Sequence, residues 1–103
     1  MVKLLIAELS VVPIGTSSTG LSDYISRAVQ AVKDAGVKYQ LHSMGTIFEV
    51  SDIEKALKIA KAAHEAVIKT GARRVLTTLR IDERLDQPRS MEERVRRVAS
   101  KVK

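Results

Sequence analysis

Val11-Val12-Pro13-Ile14-Gly15-Thr16-Ser17-Ser18-Thr19-Gly20-Leu21-Ser22 joins two stretches of different hydrophobic period. Before it, residues 3–12 run largely apolar and end at Pro13, which reads as a central strand. After it, Leu21, Ile25, Ala28, Val29 and Val32 recur at helical spacing until Gly36. The connection carries Pro13, Gly15, Gly20 and five hydroxyl side chains, so it is a loop. Ser22, or a hydroxyl just before it, is expected to cap the helix. A polar connection feeding a helix N-terminus either binds something or simply turns the chain, and the residues downstream decide between the two.

Downstream, residues 37–44 alternate: Val37, Tyr39, Leu41 and Ser43 against Lys38, Gln40, His42 and Met44. Gly45 is expected to turn the chain into a short strand, 46–50, completing a hairpin. Ser51 with Glu54 three positions on reads as a capping box. It opens a second helix with Ile53, Leu57, Ala60, His64, Val67 and Ile68 as its stripe and Gly71 as its stop. Residues 73–82 alternate as a fourth strand, and a charged loop follows. A last helix comes after Ser90, with Glu93 at the capping-box position and a thin stripe of Met91, Val95, Val98 and Val102. This order is the ferredoxin-like βαββαβ pattern with an appended helix. It predicts an α+β sandwich in which two helices cover one face of a four-stranded antiparallel sheet, as a single domain over residues 1–103.

In such a sandwich the wholly apolar strand sets, led by Leu5, Ala7, Leu9 and Val11, face the helices. The open face then receives Leu4, Ile6, Glu8 and Ser10, Gln40, His42 and Met44, Ile47 and Glu49, and Leu76, Thr78, Arg80 and Asp82. That face has too many apolar groups to stay wet and too many charges to bury unpaired. Packing against a second copy, as a homodimer or homotetramer, answers the first problem. Convergence of the polar groups on a ligand, or an internal ion pair from Arg80 to Glu8 or Glu49, answers the second. Three carboxylates and one arginine across the strands favour a cationic or multi-donor small molecule.

Composition narrows the classes further. The net charge is +6, with Arg94, Arg96, Arg97, Lys101 and Lys103 in the last ten residues, which reads first as a solvated helix face. There is no cysteine, so disulfides, zinc–thiolate sites and thiol nucleophiles are excluded, and a cytoplasmic protein is expected. No apolar run approaches the roughly 18 residues of a membrane helix, and no signal peptide is read at the N-terminus. With Phe48 the only phenylalanine, the sheet lacks the stacking aromatics of an RNA-recognition domain, so nucleic acid is not the expected partner. The opening loop has no Gly-Lys-Ser/Thr ending and is not a nucleotide P-loop. His42 and His64, the only histidines, have no ligand spacing, so no metal or cofactor is expected. His64 reads as a core histidine with a partner. No catalytic residues are assigned, and the expectation is a binding protein and not an enzyme.

Val12-Pro13-Ile14-Gly15-Thr16, then Ser22, then Met44-Gly45-Thr46 with Glu49, then Ala63-His64-Glu65-Ala66, then the run from Arg74 through Thr77-Thr78-Leu79-Arg80-Ile81-Asp82 to Arg84 together resemble the thiamine-binding (YkoF-like) family. The resemblance covers nearly the whole chain. It implies the ferredoxin-like fold, assembly by sheet packing into dimers and tetramers, and binding of thiamine or a related pyrimidine compound. The family's Lys-Ile-Asp-Asp-Arg run stands here as Arg80-Ile81-Asp82-Glu83-Arg84, which keeps the charge pattern but replaces a point charge by a planar fork. The expected ligand-binding residues are Glu8 or Glu49 offsetting the cation, Ser10, Thr46 and Thr78 bonding the pyrimidine, Thr16, Ser17 and Ser22 at the rim, and Arg80 and Asp82 beside Glu8. The alternative is a structural or regulatory oligomeric module with no dedicated ligand.

Overall fold

The computed structural model describes residues 3–103, so Met1 and Val2 of the expected domain lie outside the described residues. The elements are β1 (Leu5–Pro13), α1 (Ser22–Asp34), β2 (Tyr39–His42), β3 (Gly45–Val50), α2 (Ile53–Ile68), β4 (Val75–Glu83) and α3 (Met91–Ala99). The sheet has the order β2-β3-β1-β4, antiparallel throughout. The βαββαβ arrangement with an appended helix is therefore present as expected.

Period-2 alternation on β1 and β3 builds the core. Leu5, Ala7, Leu9 and Val11 of β1 and Phe48 and Val50 of β3 are buried under Ala28 and Val32 of α1 and Ala56, Ile59, Ala63 and Val67 of α2. The alanines of α2 let its backbone approach closely, leaving the volume to Phe48, the largest fully buried side chain. Register settles the faces. Ile6 pairs with Glu49 and Asp82, and Glu8 pairs with Ile47 and Arg80, so these six side chains share the open face with Gln40 and His42.

Four local features differ from expectation. No side chain caps α1: its N-cap position is Leu21 and Ser22 is already its first residue, while Thr16 Oγ1 donates to the Ser18 carbonyl at 3.0 Å and the Gly20 N–H donates to Ser18 Oγ at 3.1 Å within the loop. Asp52, not Ser51, caps α2, its carboxylate accepting from the Lys55 N–H at 2.7 Å. The β2–β3 turn is Ser43-Met44, which puts Met44 at the exposed hairpin tip instead of on a sheet face, and Gly45 opens β3. Gly45 is required there by space: a Cβ would stand 2.8 Å from the Leu9 carbonyl oxygen. Finally, α3 turns back over the open face. Ser90 caps it as expected, Oγ accepting from the Glu93 N–H at 3.2 Å. Met91 is its one buried residue, and Ile6, an open-face position, is only 7% exposed.

Candidate functional site

Two spaces flank the sheet. The outer one is a cleft of about 730 Å³ on the open face, floored by Ile6 and Ile47 and roofed by Met91, Arg94 and Val95 of α3. The inner one is a cavity of about 240 Å³ on the helical side, between α1 and the β2–β3 hairpin. Its walls are mostly apolar, from Leu9 and Val11 of β1, Leu21, Ile25 and Val29 around α1, and Leu41, Met44 and Gly45 of the hairpin, with Ser10, His42, Ser43 and Thr46 as the polar residues.

In the outer cleft every charged group is matched. Glu8 lies between two partners: Arg80 Nη1 donates to Oε1 at 3.1 Å, and His42 Nε2 lies 3.1 Å from Oε2. Asp82 is engaged by Arg94 of α3. Glu49 accepts the N–H of Met91 at 2.7 Å, placing a carboxylate at the positive end of α3, and Lys38 Nζ stands 3.7 Å away. Lys38 also binds Glu92, and that hydrogen bond holds the Lys38 ammonium above its ordinary range and the Glu92 carboxyl below its own. The carboxylate excess read along the strands is thus offset by groups that the last helix and the edge strand bring in.

The inner cavity is the reverse case. Thr46 is 5% exposed and lines it, on the face of β3 that carries Phe48 and Val50. Its hydroxyl enters none of the side-chain hydrogen bonds among the described residues, yet none of their side-chain polar atoms is both sealed off and unpartnered. The cavity is the space that Thr46 borders. At about 240 Å³ it lies just below the roughly 300–1,000 Å³ of pockets for drug-sized ligands, a size that suits a single ring.

The expected site residues divide between these places. Glu8, Arg80 and Asp82 line the outer cleft. Glu49 is on the same sheet face, occupied by α3. Ser10 pairs with Thr78 in register, and Ser10 also borders the inner cavity along β1. Thr46 is inside the cavity, across the sheet from Glu8. Thr16 and Ser17 line neither space, and Ser22 borders a shallower groove along α1; Leu21, at the loop's end, is what the connection contributes to the cavity wall. His64, read as a core histidine, has its partner: Nδ1 is 2.6 Å from Thr77 Oγ1. His42, which borders both spaces, and Met91, Arg94 and Val95 are absent from the expected set. The roofing residues carry no local signal, because where α3 lands depends on Glu49 lying 42 positions earlier.

The fold is a ferredoxin-like sandwich with a mostly apolar cavity of about 240 Å³ between α1 and the hairpin, bordered by the buried Thr46. The chain belongs to the thiamine-binding protein family, whose profile matches residues 7–99. A UPF0045 protein of Methanothermobacter thermautotrophicus is 44% identical over 99 residues, 96% of this chain and all of that one. Among solved structures, protein MJ1052 of Methanocaldococcus jannaschii superposes with a TM-score of 0.85 at 31% identity, covering 93% of this chain and 96% of that chain. A Thermotoga maritima protein with a provisional role in thiamine biosynthesis or salvage shares the fold, with a TM-score of 0.77 at 23% identity over 92% of this chain and 98% of that chain.

Proposed function

We propose that this chain binds thiamine or a related pyrimidine compound, with the ring in the inner cavity and Thr46 as its hydrogen-bonding partner. The observation that carries this reading is the buried Thr46 at the wall of a mostly apolar cavity of about 240 Å³. A hydroxyl at the wall of an apolar cavity trades water for a ligand donor or acceptor on binding, so it favours rings that carry one. Family membership supplies the ligand class. The remainder of a two-ring ligand extends past the hairpin, where the exposed Met44 stands. The protein acts in this reading as a cytoplasmic binding protein and not a catalyst. Calorimetric titration with thiamine and with its free aminopyrimidine tests it: both should give heat, with saturation at one ligand per chain. No heat and no thermal shift at millimolar concentrations of either compound would overturn it.

The chain also assembles with copies of itself through the open face. Support comes from the exposure of Leu76 on β4 and of Val95, Val98 and Val102 at the C-terminal end, apolar side chains that a second copy would cover. The same surface, with the matched charges of the outer cleft, favours the second reading, an oligomeric module without a dedicated ligand. The titration above separates the two.

A further inference from the structure

His42 borders both spaces, and its two ring nitrogens tie separate parts of the sheet together. The Met44 N–H, at the hairpin tip, donates to Nδ1 at 3.2 Å. Nδ1 is therefore the acceptor, and Nε2 carries the ring hydrogen. That nitrogen lies 3.1 Å from Glu8 Oε2 on β1, and Glu8 Oε1 is held by Arg80 on β4. The series Met44–His42–Glu8–Arg80 thus runs from the hairpin tip across the open face to the opposite edge strand. The hairpin tip is also a wall of the inner cavity, through Ser43, Met44, Gly45 and Thr46. Gly45 cannot be replaced by a bulkier clamp, because its Cα faces the Leu9 carbonyl, and the His42 ring is packed over the same spot, Cε1 lying 3.5 Å from where a Cβ would be.

We propose that Glu8 and His42 form a latch that holds the hairpin tip against the inner cavity from the opposite face of the sheet. Glu8 is a positioning residue: it acts on the ligand through His42 and the Met44 backbone and does not serve as the ligand's counter-charge. This rests on the inner cavity being the binding site. The latch fixes the cavity wall before the ligand arrives, so less ordering is left to occur on binding.

Glu8→Gln and Glu8→Ala distinguish the two roles. Glutamine keeps an acceptor oxygen for Nε2–H and loses the charge, whereas alanine loses both. The first measurement is amide hydrogen exchange of Met44 and Gly45 in the unliganded protein. It should quicken about 10-fold in Glu8→Ala and His42→Ala and change less than about 3-fold in Glu8→Gln. The second is thiamine affinity by calorimetry, expected to fall about 10-fold in Glu8→Ala and to stay within about 3-fold in Glu8→Gln. Exchange at the tip unchanged in both alanine variants would overturn the latch. An equal loss of affinity in Glu8→Gln and Glu8→Ala would overturn it too, by making Glu8 a direct counter-charge. If the wild-type chain binds no thiamine while the exchange pattern holds, the latch stands and the ligand reading falls.

Discussion

Thr46 separates affinity from stability in this chain. Thr46→Val keeps the shape and removes the hydroxyl of a residue that borders the inner cavity. Thiamine affinity should drop about 10-fold, near 1.4 kcal/mol, when one ligand hydrogen bond is lost. The thermal midpoint of the unliganded protein should move little, because no protein group loses a partner. Calorimetry and thermal melts on the same samples check both halves. Gly45→Ala behaves oppositely: a Cβ 2.8 Å from a backbone oxygen forces strands β1 and β3 apart, for a cost of about 2 kcal/mol in denaturant unfolding. The sequence allowed Thr46 to be named as a pyrimidine partner but grouped it with Glu8, although the two residues stand on opposite faces. Strand alternation already carried that distinction, since Ile47 and Glu49 read onto the open face beside Glu8; the two residues were grouped as parts of one expected ligand site, not by register. The true turn, Ser43-Met44, contains neither glycine nor asparagine and gives a weak local signal.

At the scale of elements, α3 is the part most open to perturbation. Its buried contact is confined to Met91, and polar groups hold it: the Ser90 cap, the Glu49 carboxylate, Lys38 with Glu92, and Arg94 with Asp82. Ser90→Ala should cost the helix about 1 kcal/mol, read as faster amide exchange over residues 91–99 with β1 and β3 unaffected. The Lys38–Glu92 pair predicts a pH window. Glu92 is lowered in the folded state, so its contribution is present above the ordinary glutamate range and fades as pH falls through the depressed value. Lys38 is raised, so its contribution is present below the ordinary lysine range and fades as pH climbs through the elevated value. Protection of the first turn of α3 should therefore be flat between those limits and weaken at both ends. Added salt should weaken it throughout, because the pair is exposed. The sequence revealed α3 itself, its cap and its start, because these are local. Its resting place depends on long-range contacts to β3 and β4, so the open face looked barer and more acidic along the chain than it is.

For the whole molecule, the exposed Leu76 and Val98 predict self-association. Sedimentation velocity should show a concentration-dependent shift to larger species, and Leu76→Asp or Val98→Asp should return it to a single small species with the melting behaviour of the dilute protein retained. Phe48→Ala offers the contrast: it should unfold the domain more readily by about 3–5 kcal/mol in denaturant titration, whatever the concentration. The fold was legible because strand and helix periods, glycine stops and element order agree over the entire chain. The cavity was not, because it lies between α1 and a hairpin whose contact no local pattern encodes.

The strand order has a consequence for how the chain is made. β1 comes first in the chain and yet sits inside the sheet, between β3 and β4. During synthesis its apolar face therefore waits for two partners, and the second of them, β4, follows only after the whole of α2. At about 5–20 residues per second, the interval between β3 and β4 lasts a second or more. Through that interval one edge of a buried-type strand is open to any extended segment nearby. Translation speed over residues 51–74, and access of a holding chaperone to β1, should then govern the yield of native protein more than the stability of the finished domain does.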